Sequence, residues 1–405
     1  MAVRVSNPSK SISILLRGFV PAHHLDMARA GRFLMVVWAA GGNVVPAAGL
    51  ARILSRRGHE VRVLGPAVLK KRFELAGCTF RPFQRAREPG PLDQEVLEDN
   101  VLGWTRFISG SRLADDVVAE LEHETTDVVI ADGFLSAALS AAERAGVRSA
   151  ALVHVLYQPA VEGTAATQWD PTRPFVDATR THLGLSLVDP TAPLVSALWS
   201  RSSLVLACVP EVFDYPLANR PANVRYVGPI FEDTPDELPA PLRPLVLVSF
   251  STTNMGQSDI LQRVLDALGV LDLEVLCTTG GVPVGDLRVP GNTTVRNWVP
   301  HMASLPHASA VITHAGLWTV MSSLAHGVPL VCMPMGRDQP LNADRVASLG
   351  LGYHISRESS VNAIRTAAEN VLEDSGVRHK ARRMAEVIAE YGNGSEAASE
   401  LESML

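Results

Sequence analysis

The chain has 405 residues, 47% of them apolar, 19% charged and 5% aromatic, with a formal net charge of −6. That is globular composition, without the basic excess that nucleic-acid phosphates or an anionic membrane surface would select. The longest apolar runs are strand-sized, far below the roughly 20 residues of a membrane-spanning helix, and at roughly 150 residues per domain the length favours two domains.

Residues 1–31 carry a short apolar stretch, 12–16, that Arg17 breaks before a secretory core can form. We expect a disordered tail there, or a start site closer to Met27. The first convincing strand is 32–40 (RFLMVVWAA). Gly41-Gly42-Asn43 turns the chain, and Pro46 suits the first turn of a helix whose stripe is Leu50, Ile53 and Leu54. Gly58 ends that helix and a strand follows at 60–64. Further units run from a strand at 127–131 through a helix near 134–145 to a strand at 149–153. Alternating strands and helices predict a parallel sheet covered on both faces. The glycine pattern after the first strand is not the G-x-G-x-x-G of a dinucleotide site, which argues against an NAD-dependent oxidoreductase.

The segment 157–200 lacks regular patterning and reads as a long loop carrying Tyr157, Trp169, Phe175 and Trp199. Residues 232–244 (EDTPDELPAPLRP), with four prolines and four acids, predict a stiff solvated linker. The alternation then restarts, with strands at 245–250, 274–278, 294–296, 308–313 and 330–333 and helices at 259–268 and 317–326. The expected architecture is α/β: a first domain over 32–231 and a second domain over 245–405, two Rossmann-like parallel sheets facing across a cleft. Ligands of such sheets bind at the carboxyl ends of the strands. The four cysteines, Cys78, Cys208, Cys277 and Cys332, form no CxxC pair and read as reduced, buried thiols of a cytoplasmic protein.

The strongest local signal is the strand 308–313 running through His314-Ala315-Gly316 into a helix whose buried face is Leu317, Val320, Met321, Leu324 and Ala325. A glycine beside a helix N-terminus suits an anion, because free N–H groups and the positive dipole end point at it. His314 and Thr319 add side-chain donors. Taken with Trp298-Val299-Pro300-His301 and the run PMGRDQPLNA at 334–343, this closely resembles the donor motif of family 1 glycosyltransferases, nearest to the bacterial natural-product branch. The resemblance implies the two-domain GT-B fold and an inverting, metal-independent transfer of a sugar from a nucleoside diphosphate to a small hydrophobic acceptor, as in antibiotic biosynthesis. It places Trp298 on the nucleobase, with Val299 pairing its edge and His301 beside it. The pyrophosphate falls to His314 and the helix start Gly316, Leu317, Trp318 and Thr319, with Ser251 and Thr252 contacting phosphate. The sugar hydroxyls fall to Asp338 and Gln339. Ser322 stands where relatives using ribonucleotide donors carry a glutamate on the ribose, so a dTDP-deoxysugar is expected over a UDP-sugar.

On the acceptor side, relatives use a histidine after the first strand, oriented by an aspartate. Asp132 matches the aspartate, but Asn43 stands at the histidine's position, and a neutral amide accepts no proton. Asp132 acting directly or through water, His154, or an acceptor acidic enough to need only positioning would each resolve this; the plainer reading of His154 is a structural donor. A catalytically impaired homologue assisting an active partner is the alternative function. Trp104, Tyr157, Trp169 and Phe175 are expected to wall a flat aglycone. No D-x-D pair occurs and His301, His307, His314 and His326 fit no zinc spacing, so neither a metal nor another cofactor is expected. The partners expected are the nucleotide sugar and the aglycone, with no nucleic acid or membrane insertion; monomer and homodimer stay open.

Overall fold

The computed structural model describes residues 30–405 apart from Ala40, 90–96, 163–165, 233–237 and Ser251. The expectation of a disordered tail, and the phosphate contact assigned to Ser251, therefore lie outside the described residues. Residues Gly31–Leu405 form one unit that contains two sheets.

The first sheet has seven strands: β1 (Arg32–Val36), β2 (Glu60–Gly65), β3 (Thr79–Pro82), β4 (Val128–Asp132), β5 (Arg148–Val153), β6 (Leu204–Ala207) and β7 (Val224–Tyr226), in the order β3-β2-β1-β4-β5-β6-β7. The second has six: β8 (Leu245–Ser249), β9 (Glu274–Thr278), β10 (Thr293–Arg296), β11 (Ala308–Thr313), β12 (Leu330–Cys332) and β13 (Gly352–His354), in the order β10-β9-β8-β11-β12-β13. Every pairing is parallel. Helices cover both faces, so the central strands are apolar almost throughout: Phe33, Leu34, Met35 and Val36 in β1 are each at most 1% exposed. Strand order reverses between β1 and β4 in one sheet and between β8 and β11 in the other. Those are the switch points where doubly wound sheets hold ligands.

Two expectations need correction. The segment 157–200 is not an irregular loop but short helices, Tyr157–Val161, Arg173–His182 and Leu194–Trp199, with a 3-10 stretch at Ala166–Thr172. Pieces of 5 to 10 residues are too brief to show a helical period in sequence. The expected second domain, 245–405, does not keep all its helices either. Helix Ser395–Glu402 buries Ala397, Ala398 and Leu401 in the core of the first sheet with Phe33, Met35 and Leu50. Arg57 fixes it there, donating to Glu402 Oε2 at 2.8 Å and Ser399 Oγ at 3.1 Å.

Candidate active site

The β1 switch point carries Asn43. Gly41, at φ +95°, makes the turn that brings Asn43 to the start of helix Val44–Arg56. The Asn43 side chain does not cap that helix. Its Nδ2 instead donates to Trp38 O at 3.1 Å and to Asp132 Oδ2 at 3.2 Å. Asp132 ends β4, is 7% exposed, and accepts the Phe134 N–H on Oδ1 at 3.0 Å. Parallel pairing sets Asp132 opposite Leu152 of β5, so His154, two residues on, leaves the sheet at the same end. His154 Nδ1 lies 3.1 Å from Asp132 Oδ2. Burial alone would push the aspartate up and the histidine down. Their mutual attraction and hydrogen bonding outweigh it, so Asp132 sits below the usual carboxylate range and His154 above the usual imidazole range.

The aromatic residues divide. Trp104 and Tyr157 are buried in the core, Trp104 edge-on to Trp38 at 5.0 Å and Tyr157 stacked on Trp199 at 5.7 Å, so neither offers a face to an acceptor. Trp169 and Phe175 are half-buried. The Trp169 ring lies 4.5 Å from Phe134, whose ring in turn meets His154 edge-on at 5.6 Å. Phe134 was not among the expected site residues; its place two positions beyond Asp132 was the signal that could have found it.

At the second sheet, β11 ends beside β8 at the other switch point. Ala315 takes a left-handed backbone, φ +65°, which costs a non-glycine residue energy. Thr313 Oγ1 accepts its N–H at 3.3 Å and Asn342 Nδ2 donates to its carbonyl at 3.0 Å, holding the turn. A methyl group added to Gly316 would stand 2.6 Å from His314 Nε2, so the glycine makes room for the imidazole as well as for any ligand. Helix Leu317–Ala325 starts without a side-chain cap, leaving first-turn N–H groups unpaired within the helix. Burial pushes His314 down to about 4, and the charge of Arg337 pushes the same way; the ring is therefore neutral at pH 7. Arg337 also adopts a left-handed backbone, φ +58°. His301, its Nε2 3.0 Å from Ser249 Oγ, is likewise pushed to about 4 by burial.

Trp298 is 68% exposed and Val299 is half-buried beside it. Thr252 is exposed. Asp338 is half-buried and accepts from Asn342 Nδ2 at 2.9 Å. Others fall short of the expected contacts. Ser322 is fully buried with its hydroxyl donating to Trp318 O at 2.9 Å, so it reaches no ribose. Gln339 is 3% exposed; its Oε1 accepts the Met335 N–H at 2.8 Å and its Nε2 faces Met255 Sδ at 3.4 Å. It holds the loop that presents Asp338. Leu317 and Thr319 are also buried, leaving their backbone N–H groups as what they can offer. Trp318 packs on Phe231 at 4.8 Å, joining the two halves.

The two switch points face each other. Methyl groups added to Gly41 and Gly42 would stand 3.7 Å from Thr252 Oγ1 and 3.5 Å from Trp318 Cβ. The Asp338 charge is felt at His154 across the cleft. Arg345 ties the halves further, donating to Phe213 O and Asp214 O, each at 2.9 Å, over the Tyr215 ring at 4.8 Å. Among the described residues no three His, Cys, Asp or Glu side chains gather as a metal site, and no helix is long and apolar enough to cross a membrane. The four cysteines are free and buried.

Residues 262–404 match the family described as Erythromycin biosynthesis protein CIII-like, C-terminal domain. The 4'-demethylrebeccamycin synthase of Lentzea aerocolonigenes is 28% identical over 400 residues, spanning 87% of this chain and 94% of that protein. The demethyllactenocin mycarosyltransferase of Streptomyces fradiae is 28% identical over 406 residues, 93% of this chain and 87% of that one. Among solved structures, the glycotransferase of kitacinnamycin matches with a TM-score of 0.79 at 22% identity, covering 93% of this chain and 100% of that chain. The glycosyltransferase VinC in complex with dTDP matches with a TM-score of 0.71 at 21% identity, covering 92% and 99%. These likenesses show the fold: it is GT-B.

Proposed function

We propose that this chain, a homologue of bacterial natural-product glycosyltransferases, transfers a sugar from a nucleoside diphosphate to a small, largely apolar acceptor, inverting the anomeric carbon without a metal ion. The observation that carries this is the opposition of the two switch points. A loop bearing Asp338 and an uncapped helix start with a neutral histidine lie across one cleft from a buried Asp132–His154 pair. A sugar bridging them would keep its diphosphate against residues 314–319 and its anomeric carbon toward the acceptor side. In a direct displacement the acceptor oxygen forms its bond to that carbon as the carbon–oxygen bond to the diphosphate breaks. The leaving charge is met by the helix N–H groups and the nearby Arg337 guanidinium, and by His314 once its ring takes a second proton, since the neutral ring's hydrogen bond goes to the Ser249 backbone. Neutral His314 is suited to this because a bound dianion would raise its proton affinity as charge develops.

Ser322 supports a dTDP-linked deoxysugar as donor: no carboxylate projects from that turn toward a ribose 2′-hydroxyl. The structural neighbour that holds dTDP supports the same choice. Calorimetric titration tests both parts. dTDP should bind at least as tightly as UDP, and His314→Ala should weaken dTDP binding by about 1.5–3 kcal/mol, the scale of a hydrogen bond to a charged group. Unchanged affinity in the variant would remove His314 from the donor site, and a clear UDP preference would overturn the donor assignment.

A further inference from the structure

The residue after β1, Asn43, has no group that can take a proton, whereas the residue at the end of β5 does. We propose that His154, delivered from the end of β5, is the general base of this site, positioned by Asp132 and Asn43. This rests on the glycosyl-transfer reading above and adds to it the residue that takes the acceptor's proton.

Three observations carry the assignment. Asn43 occupies the place after β1, and its amide nitrogen, which accepts no proton, is committed to Trp38 O and Asp132 Oδ2. Asp132 itself is poorly placed to touch substrate. It is 7% exposed, and the Phe134 N–H, the Asn43 amide and the His154 ring all point at its two oxygens. His154 has the opposite geometry. Its Nδ1 is held at 3.1 Å by Asp132, which selects the Nδ1–H tautomer and leaves the Nε2 lone pair without a partner among the described residues, on a side chain 21% exposed. The half-buried Phe134 ring meets that imidazole edge-on and is itself packed by the half-buried Trp169, an apolar platform on which a flat acceptor would bring its hydroxyl to Nε2.

The step balances without a co-reactant. The acceptor O–H proton passes to His154 Nε2 as the acceptor oxygen bonds to the anomeric carbon. The electron pair of the broken carbon–oxygen bond leaves with the diphosphate. The imidazolium, stabilised by Asp132, returns its proton to water. The titratable or charged groups facing His154 are Asp132 from β4 and Asp338 from the opposite loop. Cys208, at the end of β6, feels Asp132 but is kept protonated by burial. Both carboxylates favour the charged imidazole, so the acid limb of the rate profile should fall at or above the ordinary histidine value of ~6.5.

The test uses the full chain, dTDP-6-deoxyglucose and two phenols at mildly alkaline pH: 4-nitrophenol, largely ionised there, and 4-methoxyphenol, which is not. His154→Ala should lower transfer to 4-methoxyphenol by ~10²–10⁴-fold, remove the acid limb, and leave dTDP affinity unchanged. The loss with 4-nitrophenol should be far smaller, a contrast that a purely structural role would not produce. Asn43→His in the His154→Ala background should restore part of the activity, because it returns an imidazole to Asp132 from the other element. Equal losses with the two phenols, or a retained acid limb in His154→Ala, would overturn the proposal. Nitrogen NMR gives a readout independent of turnover. The His154 ring should be the Nδ1–H tautomer at high pH, with its titration moving down in Asp132→Asn; an Nε2–H tautomer would contradict the assignment. Loss of dTDP binding in the unmodified protein would instead contradict the glycosyl-transfer reading, so the two failures are separable.

Discussion

His314 and His301 are polar rings held neutral inside the protein, and they make stability depend on pH in a defined direction. Each has an unfolded value near ~6.5 and is pushed to about 4 by burial in the fold. Between those values the unfolded chain binds protons that the folded chain refuses, so stability should fall as pH drops from about 6.5 toward 4. His154 has the other sign: its contribution is complete below ~6.5 and is lost as pH rises through its raised value. Melting temperatures measured over this range should therefore show a decline on acidification that His301→Gln makes shallower; an unchanged slope would mean that His301 is not held neutral. At this scale the sequence was informative about residue type and poor about direction. Of the residues given roles by the motif, Trp298 is exposed and His314 and Asp338 are half-buried. Spacing could not reveal that Ser322 and Gln339 turn their polar atoms inward, or that Trp104 and Tyr157 pack as core. Nor could it show that His154 meets Asp132, because that pairing depends on the neighbouring register of β4 and β5.

Elements were legible where burial on both faces forces a continuous apolar run. The strands β1, β2, β4, β5, β8, β9, β11 and β12 fall within a few residues of their expected places for that reason. The short strands β3, β6, β7 and β13 carry too little pattern, although the equally short β10 and β12 were placed, and the short helices between β5 and β6 were hidden in the same way. Helix Ser395–Glu402 was hidden differently. Its stripe of small apolar residues announces burial, but only the path of the chain decides against which sheet. Leu401, fully buried on the first sheet's core, reports on that docking. Leu401→Ala should cost about 2–5 kcal/mol of unfolding free energy, read from denaturant midpoints. A change below about 0.5 kcal/mol, the scale of an ordinary surface substitution, would mean that the helix is not docked there.

For the whole molecule, the fold explains why two unremarkable sheets make one site. Each reverses its strand order once, each leaves a loop pair open at that reversal, and the Arg345 and Trp318 contacts hold the halves so that the openings meet. The two-sheet architecture followed from strand and helix alternation alone, and the glycosyltransferase reading came from the resemblance of the donor motif. The placement of the acceptor-side groups required the three-dimensional chain path. The central claim is that a sugar crosses this cleft in a single displacement. Proton NMR of the full chain with dTDP-α-6-deoxyglucose and a phenolic acceptor measures that directly. The account predicts a β-configured 6-deoxyglucoside accumulating in step with released dTDP. An α-configured product, or a donor left intact beside a protein that binds no dTDP, would contradict it.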